Sequence, residues 1–190
     1  VGVFLFTGHG EDAETLLRRA EIAMYSARTA GHAIDIYAMG EDENHLRRLS
    51  LLNELTVALE QDQMEIYYQP KIDLRTRRVG QAEALVRWIH PVRGIVAPDE
   101  FISLAEQSGL IGQLTQLVLR KVIRQIRHWS SLGIELAVSV NVSALDLTEE
   151  GFADRVMGLL RENGVHPSQL TLEMTESTVI RDVNLTRDVM

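Results

Sequence analysis

Glu83 and Arg87 stand four residues apart in Gln81-Ala82-Glu83-Ala84-Leu85-Val86-Arg87-Trp88, a run that otherwise reads as a buried strand. Strand side chains alternate between faces. Glu83, Leu85 and Arg87 therefore share one face, and Ala82, Ala84, Val86 and Trp88 share the other. Buried charge is costly unless it is paired or binds a metal, so this strand needs a partner for its acid and its base. The same parity applied to the other strand-like runs supplies candidates. Tyr67, Gln69 and Lys71 oppose Ile66, Tyr68 and Pro70; Ala137, Ser139 and Asn141 oppose Leu136, Val138 and Val140; Thr171, Glu173 and Thr175 oppose Leu170, Leu172 and Met174.

Superposing the polar faces collects Gln69, Glu83, Arg87, Asn141 and Glu173. Two carboxylates and an amide oxygen form a hard-oxygen donor set suited to Mg²⁺, Mn²⁺ or Ca²⁺. An arginine beside such an ion favours an anion, most naturally a phosphate, and the pair points to metal-assisted hydrolysis. Each residue also has a plainer reading. Glu83 and Arg87 taken alone read as an ion pair within the sheet, Asn141 as a turn or cap residue, Glu173 as the partner of a lysine, and Gln69 as a strand end. The run from Lys71 to Arg78 reads as a solvated turn. The six histidines show no metal-ligand spacing.

The elements that must carry these residues alternate along the chain. A strand at 1–6 leads through a turn to a helix at about 12–29 with Gly31 as its cap, and Ile34–Tyr37 is a short strand. The polar run Gly40-Glu41-Asp42-Glu43-Asn44 marks a domain boundary, with units at 1–42 and 43–190. Next come a helix at about 44–61, strands at 64–70 and 78–88, and a helix from Pro98 to about Gly109. An amphipathic helix at 112–131 carries the stripe Leu114, Val118, Val122, Ile126 and Trp129. Strand 134–141, helix 148–163, strand 170–175 and a helix from about Asp182 complete the pattern. Strands alternating with helices, each with one greasy and one polar face, predict an α/β fold with a mainly parallel sheet closing toward a barrel.

Composition narrows the partners. A net charge of −8 over 190 residues argues against DNA or RNA polymers as ligands held by charge alone, while leaving room for a small anion. The absence of cysteine excludes disulfides and thiolate metal sites, which suits a cytoplasmic location. No apolar run is long enough to span a bilayer.

Glu83-Ala84-Leu85 followed by Val86-Arg87-Trp88 resembles the signature of EAL domains, the phosphodiesterases of the bacterial second messenger cyclic di-GMP. Tyr68-Gln69-Pro70 resembles the family's first-strand motif. Pro98, Phe101-Ile102 and Ala105-Glu106 resemble its next helix, Ser139-Val140-Asn141-Val142-Ser143 its third-strand motif, and Leu172-Glu173-Met174-Thr175-Glu176-Ser177 its fourth. The ordered set spans roughly 46–177. The resemblance implies a modified TIM-type (β/α)8 barrel whose first strand runs against the others. It implies that Glu83, Asn141 and Glu173 bind catalytic Mg²⁺ or Mn²⁺, and that Gln69, Leu85 and Arg87 contact cyclic di-GMP. Glu176 matches a glutamate that positions an active-site loop. The implied reaction is hydrolysis of cyclic di-GMP to linear pGpG, with homodimerisation through EAL domains as a further expectation.

Residues 1 to about 42 resemble the tail of a GGDEF domain, the diguanylate cyclase fold, through Ala20-Glu21-Ile22-Ala23-Met24-Tyr25-Ser26-Ala27-Arg28 and Gly31. Glu21 and Arg28 depart from its usual aspartate and lysine, and the GGDEF motif is not in the sequence. The chain opens without methionine and ends within a helical pattern. It is therefore expected to be part of a longer parent, in which an upstream region could anchor the protein to a membrane, and to hold the first half of an EAL barrel. On that expectation the parent is the enzyme and this chain alone is inactive; the alternative is a non-catalytic cyclic di-GMP receptor or regulatory module with a degenerate EAL domain.

Overall fold

The computed structural model describes residues 1–3 and 12–174. The chain divides into two compact units, Val1–Asn53 and Glu54–Met190. In the first, β1 (Gly2–Val3) pairs in parallel with β2 (Asp35–Ile36), and α1 (Ala13–Ala30) lies between them in sequence. Asp12 caps α1, its side chain accepting from the Thr15 amide at 2.8 Å, and Gly31 ends the helix at a φ of +71°. Ile22, Ala23 and Tyr37 form the core of this unit.

The polar run at 40–44 does not form a linker. Glu41, Asp42 and Glu43 make the first turn of α2 (Glu41–Glu60), where negative side chains complement the positive end of the helix dipole. The Tyr37 hydroxyl and Arg19 Nε both donate to Asp42, the latter at 3.2 Å. The two compact units part within the sequence of α2, at 53/54.

The second unit is built on one sheet. β3 (Met64–Asp73) and β4 (Arg78–His90) form a long antiparallel hairpin; β6 (Ala137–Asn141) joins β4 in parallel, and β7 (Leu170–Glu173) joins β6 in parallel. The strand order is β3-β4-β6-β7, and the short β5 (Gly94–Val96) pairs with the far end of β4. The first strand of this sheet thus runs against β4, β6 and β7, as the resemblance implies, and the short β5 also runs against β4. The described strands form an open α/β sheet.

Helices α3 (Pro98–Ser108) and α4 (Ile111–Ser131) connect β5 to β6, while α5 (Ala144–Thr148), α6 (Phe152–Asn163) and a 3₁₀ turn at Pro167–Gln169 connect β6 to β7. They cover the apolar face. Trp88 and Phe101 are both fully buried and meet edge-on at 5.9 Å, and Tyr68 meets Trp129 of α4 at 4.8 Å. The α4 stripe is broader than the spacing implies, because Leu119 and Ile123 are buried beside Leu114, Val118, Val122 and Ile126.

Three expected boundaries move for reasons of pairing. The strand expected at 134–141 starts at Ala137, where Gln81 of β4 becomes its first neighbour. β3 runs past Pro70 to Asp73 because Lys71, Ile72 and Asp73 still pair with β4, through an irregularity between Lys71 and Ile72. The helix expected at 148–163 begins only at Phe152, after Gly151 at a φ of +77°, and a separate short helix, α5, precedes it at Ala144–Thr148. β4 likewise runs past Trp88, because Ile89 and His90 pair with β5, and ends on His90. His90 Nδ1 accepts from the amides of Val92 and Arg93 at 3.1 Å, so its proton lies on Nε2, 2.9 Å from Glu54. The expected terminal helix and Glu176 lie outside the described residues.

Candidate functional site

Residues directly opposite each other on neighbouring strands share a face. The register sets Gln69 opposite Glu83, Glu83 opposite Ser139, Ser139 opposite Thr171, and Asn141 opposite Glu173. Leu85 and Arg87 follow Glu83 on that face, opposite Tyr67 and Glu65. All six described candidates from the sequence therefore lie on the face turned away from the helices.

They are not equally close. Asn141 Nδ2 donates to Glu83 Oε1 at 2.9 Å. Glu173 is joined to Glu83 by a residue that the sequence reading set aside. Lys71 Nζ lies 2.8 Å from Glu173 Oε1, 2.8 Å from Ser139 Oγ and 3.6 Å from Glu83 Oε2. Lys71 is thus no part of a solvated turn. The plainer reading of Glu173 as the partner of a lysine is what the structure shows. The signal was present in the alternation, which places Lys71 on the face of Gln69; the error was to end the strand at Pro70.

Lys71 also shapes the local electrostatics. Its hydrogen bond holds the Glu173 carboxyl below the ordinary carboxylate range, against the opposing effect of partial burial. Reciprocally, the bond to Glu173 raises the Lys71 ammonium above its usual value.

Arg87 stands apart from this cluster. The plainer reading supposed an ion pair between Arg87 and Glu83, which lie about 13 Å apart along β4. Among the described residues no ion pair joins the two. The Arg87 guanidinium instead lies 5.8 Å from the centre of the Tyr67 ring and donates to the Val86 carbonyl at 2.9 Å.

The pairing of β4 explains the opening beside Arg87. β6 accompanies β4 only as far as Ala84, and β5 begins only at Trp88. The intervening Leu85, Val86 and Arg87 border a cleft of about 630 Å³ that lies between the sheet and helices α3 and α4, lined by Ile102, Leu114 and Val118, with Glu83 and Asn141 also among its lining residues. That volume lies within the range of ~300–1,000 Å³ usual for small-molecule sites.

The loop carrying Asn141 is fastened from behind, by residues the sequence reading passed over. Ser143 caps α5 in a reciprocal box with Asp146, a pattern legible as Ser-x-x-Asp. Asp146 Oδ2 accepts from the Ser143 amide at 2.9 Å and from Thr115 Oγ1 of α4 at 2.8 Å, while Ser143 Oγ donates to Glu106 Oε1 at 2.7 Å. Burial pushes the Asp146 carboxyl up, and the Thr115 and Ser143 bonds oppose that shift.

Whether the face could hold a divalent ion can be judged from its donors. Among the described residues no three His, Cys, Asp or Glu side chains converge as a ligand set, so a third donor would have to be the Asn141 amide oxygen. Two carboxylates and an amide suit a hard cation, and the two carboxylates already share one cation, the Lys71 ammonium. The residues fit.

The family model for the EAL domain matches residues 52–190. The chain belongs to the EAL-domain family. It is 37% identical over 186 residues to the bifunctional diguanylate cyclase/cyclic di-GMP phosphodiesterase MucR of Pseudomonas aeruginosa, covering 97% of this chain and 27% of MucR. It is 38% identical over 191 residues to the cyclic di-GMP phosphodiesterase PdeR of Escherichia coli, covering 100% of this chain and 29% of PdeR. This EAL chain thus spans less than a third of either relative. The solved structure of the MucR phosphodiesterase in complex with cyclic di-GMP superposes with a TM-score of 0.69 at 39% identity, over 74% of this chain and 57% of that one. Among the described residues no helix is long and apolar enough to cross a membrane.

Proposed function

We propose that the full-length protein is a cyclic di-GMP phosphodiesterase that hydrolyses its substrate to linear pGpG. The observation that carries this reading is the gathering of Glu83, Asn141 and Glu173 on one sheet face, with Glu83 and Asn141 also at the wall of a cleft bordered by Arg87. Kinship to relatives named as cyclic di-GMP phosphodiesterases supplies the substrate. Water adds to one phosphorus, the bond from that phosphorus to a ribose oxygen breaks, and the leaving oxygen takes a proton.

Glu83, Asn141 and Glu173 would hold Mg²⁺ or Mn²⁺. Such an ion supplies Lewis-acid activation of water and neutralises charge on the phosphate. Arg87 binds phosphate through its planar donors, Gln69 offers an amide on the same face, and Leu85 provides an apolar contact. Glu176 is assigned the positioning of a neighbouring loop.

The chain alone is proposed to be inactive, holding the first part of a TIM-type barrel in a cytoplasmic enzyme that pairs through its EAL domains. Residues 1–42 are assigned to a GGDEF tail; the match to MucR covers 97% of this chain, and MucR is named as a cyclase as well as a phosphodiesterase.

The test is Glu83→Ala in the full-length protein, with conversion of cyclic di-GMP to pGpG followed chromatographically in Mg²⁺ or Mn²⁺. A loss of at least about a hundredfold in kcat is expected, the scale on which removing one strong stabilising group acts. Unchanged turnover overturns the reading. One observation favours a second reading, a non-catalytic receptor: Lys71 balances both carboxylates without a metal. Binding of cyclic di-GMP without hydrolysis by the unsubstituted protein would establish it.

A further inference from the structure

The position of Lys71 has a consequence beyond its bond to Glu173. Lys71 is on β3 and Glu173 on β7, with β4 and β6 between them. At the usual spacing of ~4.8 Å per strand that is about 14 Å across the sheet, so the lysine stem must lie over the intervening strands. Its ammonium ends over Ser139, on the face shared by Glu83 and Asn141. A point charge with three donors thus meets two carboxylates and a hydroxyl, 2.8 to 3.6 Å away.

We propose that Lys71 is an internal counter-ion that competes with the divalent metal for Glu83 and Glu173, and so sets the metal affinity of the site. The inference rests on the metal-binding reading of Glu83, Asn141 and Glu173. An ammonium and a divalent ion cannot share Glu173 Oε1 at contact distance without strong repulsion, so loading the metal requires Lys71 to withdraw. Without a cation the carboxylate pair would repel itself; Lys71 keeps the face assembled until the ion arrives. The four-carbon stem permits this exchange, since the side chain is about one-third exposed and its ammonium is held by side chains alone in the described contacts.

The experiment measures Mn²⁺ binding to the full-length protein without substrate, by electron paramagnetic resonance of free Mn²⁺. Lys71→Met keeps the apolar stem and deletes the charge; Lys71→Arg keeps the charge. Lys71→Met is expected to tighten Mn²⁺ binding at least tenfold, with Lys71→Arg no tighter than the unsubstituted protein. Tightening in Lys71→Met that Glu83→Ala reverses supports the proposal. Unchanged or weaker binding in a folded Lys71→Met overturns it while leaving the metal site standing. Should Lys71→Met not fold, Lys71→Gln replaces it under the same criteria. Absence of Mn²⁺ binding in the unsubstituted protein overturns the metal reading itself, and this inference with it.

Discussion

Thr115→Val would test how the Asn141 loop is held. Thr115 and Asp146 are buried, at 6% and 2% exposure, and the hydroxyl donates to Asp146 Oδ2 at 2.8 Å. Valine preserves the shape and removes the donor. Asp146 would then keep only the Ser143 amide, because Oδ1 has no hydrogen-bond partner among the described residues. A hydrogen bond to a charged group contributes about 1.5–3 kcal/mol, so we take ~2 kcal/mol as the cost. That corresponds to roughly a thirtyfold change in an opening equilibrium. The Ser143 amide reports the event directly, since it is itself bonded to Asp146. Its hydrogen-exchange protection in the full-length protein should fall by about thirtyfold if the loop opens locally. Asp146→Ala and the double variant complete a cycle in which the two changes should be non-additive by ~2 kcal/mol. Protection unchanged in Thr115→Val, or additivity within about 0.5 kcal/mol, would refute the idea that α4 anchors this loop.

Two further outcomes follow from backbone and charge. Gly109 ends α3 at a φ of +77°, and an added Cβ would meet nothing within 4 Å, so Gly109→Ala should cost only the backbone strain of about 1 kcal/mol, with Gly109→Asn recovering part of it in denaturant unfolding. Asp42 is held below its ordinary pKa, first by the Tyr37 hydroxyl and then by Arg19. A depressed folded-state pKa gives stability that is present above the unfolded value of about 3.9 and lost as pH falls through the folded one. The acid limb of stability in Val1–Asn53 should therefore flatten in Asp42→Asn, read by hydrogen exchange in α1; an unchanged limb would remove Asp42 from the account.

The alternation of the strands was enough to place Gln69, Glu83, Leu85, Arg87, Asn141 and Glu173 on one face, because the period of two is a property of each strand alone. The motifs around Glu83, Asn141 and Glu173 likewise identified the family from local sequence. Strand ends were less legible. β3 reaches Asp73 and β6 starts only at Ala137 because a strand continues where a neighbour offers hydrogen bonds, and that neighbour lies elsewhere in the chain. The capping box of Ser143 and Asp146 could be read from its spacing, but its tie to Thr115, 31 residues away, could not.

The run from Glu83 to Arg87 shows the division most clearly. Sequence alone determined that an acid and a base share a face and require partners. Tertiary structure decided that they are not partners of each other. The β3–β4–β6–β7 order brings Lys71 to Glu83 and Glu173, while the gap between β6 and β5 leaves Arg87 at the cleft. Period and composition govern which way a side chain points; only the arrangement of distant strands governs which charge it meets.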